Sequence, residues 1–289
     1  MAQLQGKIAW VTGAGTGIGE AAALALAEEG ATLVLTGRRR DKLDGVAKRV
    51  KAGGGTAYVQ PGDLMKSATA QKIANFIKAK LGRLDILVNN AGLNILERSW
   101  SQLEPAGADE VIGANLSGAF YCVIAALPMM REQKDGILIH TASWAGRWVG
   151  PLSGPAYVAA KHGAVAMSHS INMEECIYGI RSTCVCPGEV ATPILDKRPV
   201  PVSQADRDKM VQAEDCGDLI RYIACLPKHV CINEVVISPT WNRGYVPGAL
   251  ALTKPSGAKP SGAKPSGEKS AAKKSGRAKG ATAKGRRRA

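Results

Sequence analysis

Short runs of aliphatic and β-branched residues alternate with longer, mixed apolar and polar segments over most of this chain. Seven runs, at 7–12, 32–37, 56–60, 84–89, 136–143, 181–187 and 232–238, read as strands. Several are nearly continuous in Val, Ile and Leu, as strands covered on both faces should be. Helical spacing marks six intervening segments: 18–29, 41–52, 67–81, 109–131, 156–178 and 216–226. Gly30 and Gly82 stand where helices should end in left-handed caps. The alternation predicts an α/β domain, a mostly parallel sheet with helices on both faces.

Near residue 250 the pattern stops. KPSGA, KPSGA and KPSGE follow one another, then Lys, Ala, Gly and Ser, then RRRA. Such a segment cannot bury enough apolar surface to offset its ordering entropy. The expected organisation is a folded domain at 1–250 and a disordered basic tail at 251–289. This division explains the charge. The chain is +14 overall, yet twelve Lys and Arg against one acid, Glu268, lie from residue 254 onward. The body is nearly neutral. A tail without aromatic side chains has no platform on which bases stack, so contact with a polyanion should be salt-sensitive and sequence-independent. A solubilising, flexible extension is the plainer reading of the same residues.

Other classes are set aside by what the sequence lacks. The longest apolar run, around residues 120–130, contains Pro128 and stops short of the roughly 20 residues that span a bilayer. The opening MAQLQGKIAWVTG reads as a strand entering a domain, not a secretory leader, and a cytoplasmic location is expected. Seven scattered cysteines fit free thiols in a reducing compartment. Cys184 and Cys186 are taken to face opposite sides of a strand, so no chelating pair and no metal site is expected.

Candidate chemistry begins at Thr12-Gly13-Ala14-Gly15-Thr16-Gly17-Ile18-Gly19, between the first strand and the first helix. A turn there without bulky side chains lets backbone approach a pyrophosphate, which the helix N-terminus favours electrostatically. Gly13, Thr16, Gly17, Ile18 and Gly19 are therefore candidate dinucleotide contacts. At the end of the second strand stand Arg38 and Arg39, with no acid before Asp41. Guanidinium groups bind phosphate bidentately, so the pattern favours NADP(H) over NAD(H). Asp63 and Leu64 follow the third strand, where an acid can meet the adenine. Asn90, Ala91 and Gly92 follow the fourth, where small residues allow close approach to the cofactor. Tyr157 and Lys161 lie four apart on a helix and so share a face. An ammonium beside a phenol favours the phenolate and brings it into range for proton transfer. Ser143, ending the fifth strand, is placed to bond a substrate oxygen.

Taken together, TGAGTGIG at 12–19, NNAG at 89–92, Asn115, Ser143, YVAAK at 157–161 and PGEVAT at 187–192 resemble the short-chain dehydrogenase/reductase family. The resemblance spans residues 5–240 and is to the single-domain branch of about 250 residues. It implies one doubly wound Rossmann domain with seven strands in the order 3-2-1-4-5-6-7. It implies an oxidoreductase acting on a CH–OH group, reducing a ketone or aldehyde with NADP(H), or the reverse. Tyr157 would be the general acid, Lys161 would lower its pKa and bond the nicotinamide ribose, and Ser143 would orient the carbonyl. Asn115 matches a position that holds a water in a proton relay to Lys161. Pro187 and Gly188 would line the nicotinamide, and Val190 and Thr192 would bond its carboxamide. Relatives also suggest a homodimer or homotetramer. Many carry Asp-Gly-Gly near the last strand, by a subunit interface, whereas residues 234–243 here read EVVISPTWNR. That weakens the case for the tetramer relative to a dimer through the two long helices.

The substrate should lie over the C-terminal ends of the strands. Candidate lining residues are Leu93, Asn94, Trp144, Trp148, Leu152 and the segment 194–210, which suggests a small apolar carbonyl or alcohol substrate. Arg147 is a candidate partner for an anionic one. A carrier-bound 3-oxoacyl substrate is a narrower variant. A dinucleotide sensor tethered to polyanions by its tail is the competing reading, and an intact Ser143, Tyr157 and Lys161 argue against it.

Overall fold

Strand β1 (Ile8–Thr12) is buried along its whole length and lies between β2 (Thr32–Thr36) and β4 (Ile86–Asn89). Its residues have no solvent face, which is why the sequence shows no alternation here. The computed structural model describes residues 2–252. Within them β3 (Ala57–Val59), β5 (Gly136–Thr141), β6 (Ile180–Pro187) and β7 (Glu234–Ile237) complete a sheet in the order β3-β2-β1-β4-β5-β6-β7. All six pairings are parallel. The expected doubly wound topology is the observed one.

Helices cover both faces. On one face α1 (Gly17–Glu28), α2 (Arg40–Ala52) and α8 (Ala213–Ala224) enclose Leu26, Leu33, Leu35, Leu43, Val185, Ile220 and Ile223. On the other α3 (Ser67–Leu81), α5 (Gly118–Gln133) and α6 (Pro155–Glu175) enclose Trp10, Ile73, Leu87, Met130 and Leu138. Each such fully buried aliphatic side chain stabilises the fold by about 2 kcal/mol. Trp10 satisfies its indole N–H on Thr36 Oγ1 at 2.9 Å. Below the sheet, buried Asp85 accepts from Lys7 at 2.8 Å, Arg83 at 2.5 Å and the Ile8 amide at 2.9 Å, fixing β1 against β4. Gly30 and Gly82 take φ of +88° and +76° where their helices end, as expected.

Two sequence expectations need correction. Helix α4 (Pro105–Ile112) runs through a π-helical turn (Gly113–Ser117) into α5, giving one continuous helix at Pro105–Gln133. By length and composition alone this helix is apolar enough to cross a bilayer, although no unbroken apolar run in it is that long. In the fold its apolar residues Val111, Cys122, Val123, Ala126, Met129 and Met130 are core. Pro128 is tolerated inside it. Cys184 and Cys186 do not face apart: a strand alternates with period two, so residues two apart share a face. Both pack with Ala142 and Val165 in one small cluster. Among the described residues no group of three or more His, Cys, Asp or Glu is arranged to hold a metal ion.

The remaining described helices are α7 (Gln204–Arg207) and α9 (Val246–Leu252). The chain divides after Val246 into two units. The basic repeats, the expected disorder of the tail and its proposed polyanion contact lie outside the described residues.

Candidate active site

Everything singled out for chemistry sits at the C-terminal ends of the strands, around the point where β1 is flanked by β2 and β4. There the sheet order reverses, and the loops leave a crevice. The turn from β1 into α1 owes its shape to glycine. Gly13 and Gly17 have φ of +63° and +58°, a region that other residues enter only with strain. A Cβ on Gly19 would lie 2.3 Å from the Gly13 carbonyl oxygen, so α1 packs against its own turn only because that carbon is absent. Thr16 precedes the helix in extended conformation without capping it, which leaves the first amides of α1 free for an anion. Thr12, not anticipated as a site residue, braces the turn: its Oγ1 accepts from the amides of Asn90 at 2.9 Å and Ala91 at 3.0 Å. The Asn90 side chain donates to the Thr12 carbonyl at 3.2 Å.

A cavity of about 630 Å³ runs from this turn to Ser143, Tyr157 and Lys161. At one end stand Arg38, Arg39 and Lys42, the last also unforeseen. The Arg39 guanidinium donates to Thr16 Oγ1 at 3.3 Å, which holds it over the glycine turn while leaving it exposed to a ligand. Asp63, Leu64 and Gly92 line the middle of the cavity. Pro187, Gly188, Val190 and Thr192 form a further wall, with the Thr192 methyl against Gly17. The shape and the donor set suit a dinucleotide carrying an additional phosphate.

Ser143, Tyr157, Lys161 and Asn115 converge at the other end. Tyr157 enters on the first turn of α6, and Lys161 follows one turn later, its ammonium 5.5 Å from the Tyr157 ring centre. Lys161 is buried and donates to the Thr141 carbonyl at 2.8 Å. Burial pushes its pKa down to about 8. Burial also raises the Tyr157 phenol, while Ser143 and the charges of Arg198 and Arg98 act in the opposite direction. Two arginines that the sequence did not point to thus join Lys161 in the cationic surroundings of Tyr157. Below them His140 is buried and pushed down to about 4, by desolvation first and the Lys161 charge second, so it stays neutral. Asn115 lies in the π-helical turn. This extra residue per turn re-aims the side chain. Its amide donates to the carbonyls of Leu93 at 2.7 Å and Val111 at 2.8 Å, and its Oδ1 is buried without a protein partner. That oxygen faces Gly92, whose absent side chain also leaves room beside Lys161 Nζ.

Not all of the anticipated substrate residues gather here. Leu93, Leu152 and Ile194 line the cavity, and so does Asn94, though its amide is occupied by the Ser153 carbonyl at 2.9 Å. Trp144 and Trp148 do not. They pack on one another with rings tilted by 55° and centres 5.0 Å apart, Trp144 also meets Tyr245 at 5.5 Å, and Trp148 is 52 % exposed. Arg147 turns away to Glu234 at 2.9 Å. In their place the cavity receives Arg98, Lys197, Arg198 and Glu189. Glu189 is held by Arg198 at 2.5 Å and by Arg243 at 2.7 Å, an arrangement that pins the loop after β6 over the site. Both guanidinium groups keep the Glu189 carboxyl below the usual range.

Residues 7–200 match the family model for short chain dehydrogenase. An uncharacterized oxidoreductase of Staphylococcus aureus strain MRSA252 is 36% identical over 239 residues, covering 83% of this chain and all of that protein. One from Staphylococcus saprophyticus is 32% identical, covering 83% and 98% respectively. Among solved structures, a metagenomic short-chain oxidoreductase in complex with NADP superimposes with a TM-score of 0.72 at 32% identity, covering 82% of this chain and 99% of its own. An alcohol dehydrogenase from the archaeon Thermococcus sibiricus, complexed with 5-hydroxy-NADP, gives 0.74 at 27% identity, covering 82% and 98%. With the sheet order, the glycine turn and the Ser143–Tyr157–Lys161 wall, these matches make the chain a member of the short-chain dehydrogenase/reductase family of oxidoreductases.

Proposed function

We propose that the protein interconverts a carbonyl compound and its alcohol with NADP(H) as cofactor. The observation that carries this reading is the convergence of Tyr157, Ser143, Lys161 and Asn115 at one end of a cavity whose other end holds Arg38 and Arg39. When bound, the nicotinamide supplies the hydride in reduction and takes it in oxidation. The chain's residues do the rest. Tyr157 gives its phenolic proton to the carbonyl oxygen as charge develops there, and recovers a proton in the opposite direction. Ser143 Oγ accepts from the Ala145 amide at 3.1 Å and lies beside the Tyr157 hydroxyl, so its own proton can turn to the same substrate oxygen when a carbonyl enters. Lys161, fixed by Thr141, steadies the phenolate that Tyr157 becomes, and the free Oδ1 of Asn115 is an acceptor for a water that passes protons to Lys161.

Cofactor choice rests on the end of β2. No carboxylate stands there to accept from ribose hydroxyls, and two arginines do. The structural relatives crystallised with NADP-type ligands support the same choice. Turnover of a carbonyl panel with NADPH and NADH side by side tests it. NADPH should be preferred by at least about tenfold, or about 1.4 kcal/mol. Replacing Arg38 and Arg39 together by Ala should weaken NADPH by about 100-fold and leave NADH unchanged, since each charge-assisted bond contributes about 1.5–3 kcal/mol before solvent screening. Equal use of both cofactors by the unaltered protein would remove the arginine argument.

A further inference from the structure

The cavity beside Tyr157 contains a buried cation that no acid neutralises. Arg98, in the loop between β4 and α4, is only 8 % exposed. It donates to the Lys197 carbonyl, and its Nε has no partner at all. Among the described residues no carboxylate lies within ion-pair distance of it. The other guanidinium groups nearby are matched. Arg198 and Arg243 share Glu189, Arg147 has Glu234, and Arg131 has Glu175. Arg181, also buried without a direct acid partner and with its Nε likewise unpartnered, is held by three backbone carbonyls, those of Leu226, Pro227 and Val230. Arg98 has one. A guanidinium taken out of water without a counter-charge is disfavoured unless something supplies the missing acceptors.

The placement of Arg98 is built into the backbone. Gly154, at φ +78°, lies against it, and a Cβ there would come within 2.6 Å of the Arg98 carbonyl oxygen and 2.8 Å of its Cβ. Glycine at 154 therefore lets the 98 side chain pass under the start of α6 and reach the cavity that Tyr157 lines. Leu152, Ile194 and Leu93 supply apolar walls to the same space. Arg98 and Tyr157 also act on each other electrostatically. One cavity is thus lined by a proton donor, an unmatched planar cation and hydrocarbon surface.

We infer that Arg98 is the binding site for a carboxylate on the substrate, so that the reducible compound is a short oxo acid, or the hydroxy acid in the reverse direction. This rests on the carbonyl reading above, because the carbonyl is assigned to Tyr157 and Ser143 and the carboxylate to Arg98. A planar carboxylate accepts two parallel N–H bonds from a guanidinium, which a neutral ketone or a hydroxyl cannot. The anion preference expected at Arg147 from the sequence is moved to a residue that faces the site.

Short oxo acids and their methyl esters, matched in length, separate the possibilities. In the unaltered protein at saturating NADPH, kcat/KM should favour the acid by at least about tenfold. Arg98→Met should abolish that preference, reducing the acid's kcat/KM about tenfold or more beyond whatever change the ester shows, and Arg98→Lys should keep part of it. Binding is read independently, by quenching of NADPH fluorescence with saturated carboxylates and their primary amides. Carboxylates should bind more tightly than amides, and only in proteins retaining charge at 98. If esters are reduced as well as acids by the unaltered protein, the carboxylate site is refuted and the carbonyl reading stands. If carboxylates bind at Arg98 but no oxo acid or ester oxidises NADPH, the site stands and the carbonyl reading falls. Should Arg98→Met depress acid and ester equally, Arg98 serves only structure and the inference is overturned.

Discussion

Replacing Tyr157 by Phe should lower kcat by about 10²–10⁴-fold, the range for removing a general acid or base, with NADPH binding unchanged. The ring itself packs in a small cluster with Leu93, Val111 and Ala156, and Phe preserves that packing. What is lost is one hydroxyl, flanked by Ser143 and lying in the electrostatic reach of Arg98 and Arg198. None of the neighbours can replace it. Ser143 is a far weaker acid, Lys161 is turned to the Thr141 carbonyl, and neutral His140 lies behind the wall. The cost in stability should be near 1 kcal/mol, the net contribution of one hydrogen bond. Paired measurements of single-turnover rate and NADPH affinity check it. A variant that keeps a tenth of the activity would mean the proton comes from elsewhere.

Lys161→Met should separate activity from stability. Turnover should fall by about 10²-fold or more, because the positioned charge beside the reacting phenol is gone. Stability should not fall with it. The unfolded chain keeps the Lys161 proton to its ordinary pKa of 10.5, whereas the folded chain releases it at about 8. The unfolded state therefore binds more protons between these values, and folding stability rises with pH across that window. Below about pH 7 the penalty of the buried ammonium is fully present, about 3 kcal/mol. Met removes that penalty but strands the Thr141 carbonyl, which costs about 1–3 kcal/mol. The balance places the variant between neutral and about 2 kcal/mol more stable at pH 7. Its stability should also lack the rise between pH 8 and 10.5 that the unaltered protein shows. Urea unfolding at pH 7 and pH 10 measures both, and a clearly less stable variant at pH 7 would contradict the assignment.

The sheet was legible because parallel strands covered on both faces show as largely aliphatic runs, and β1, β2, β4 and β5 are of that kind. The glycine turn was legible for a similar reason, since the geometry at Gly13, Gly17 and Gly19 admits little else. Residues whose role depends on distant partners were not. Arg98 looks like any surface arginine until the fold removes it from water and gives it no acid. Trp144 looked like substrate wall until Tyr245, a hundred residues later, was found against it. Glu189 acquires its function only from Arg198 and Arg243. The π-helical turn at Asn115 leaves no mark in residue type, because it is an excess of one residue in an otherwise ordinary helix. Cys184 and Cys186 were a matter of period, which the strand settles as two.

The central claim is that a hydride passes between NADP(H) and a carbonyl carbon while Tyr157 manages the proton. Its most direct test is isotopic. Purified full-length protein is given NADPH deuterated at C4, on one face and then the other, with the oxo acid and ketone panel, and the alcohol is weighed by mass spectrometry. The expected result is one deuterium on the carbinol carbon from one labelled face only, in the unaltered protein and at trace rate in Tyr157→Phe. Alcohol formed without deuterium from either face, or NADPH bound tightly with no alcohol formed at all, would contradict it.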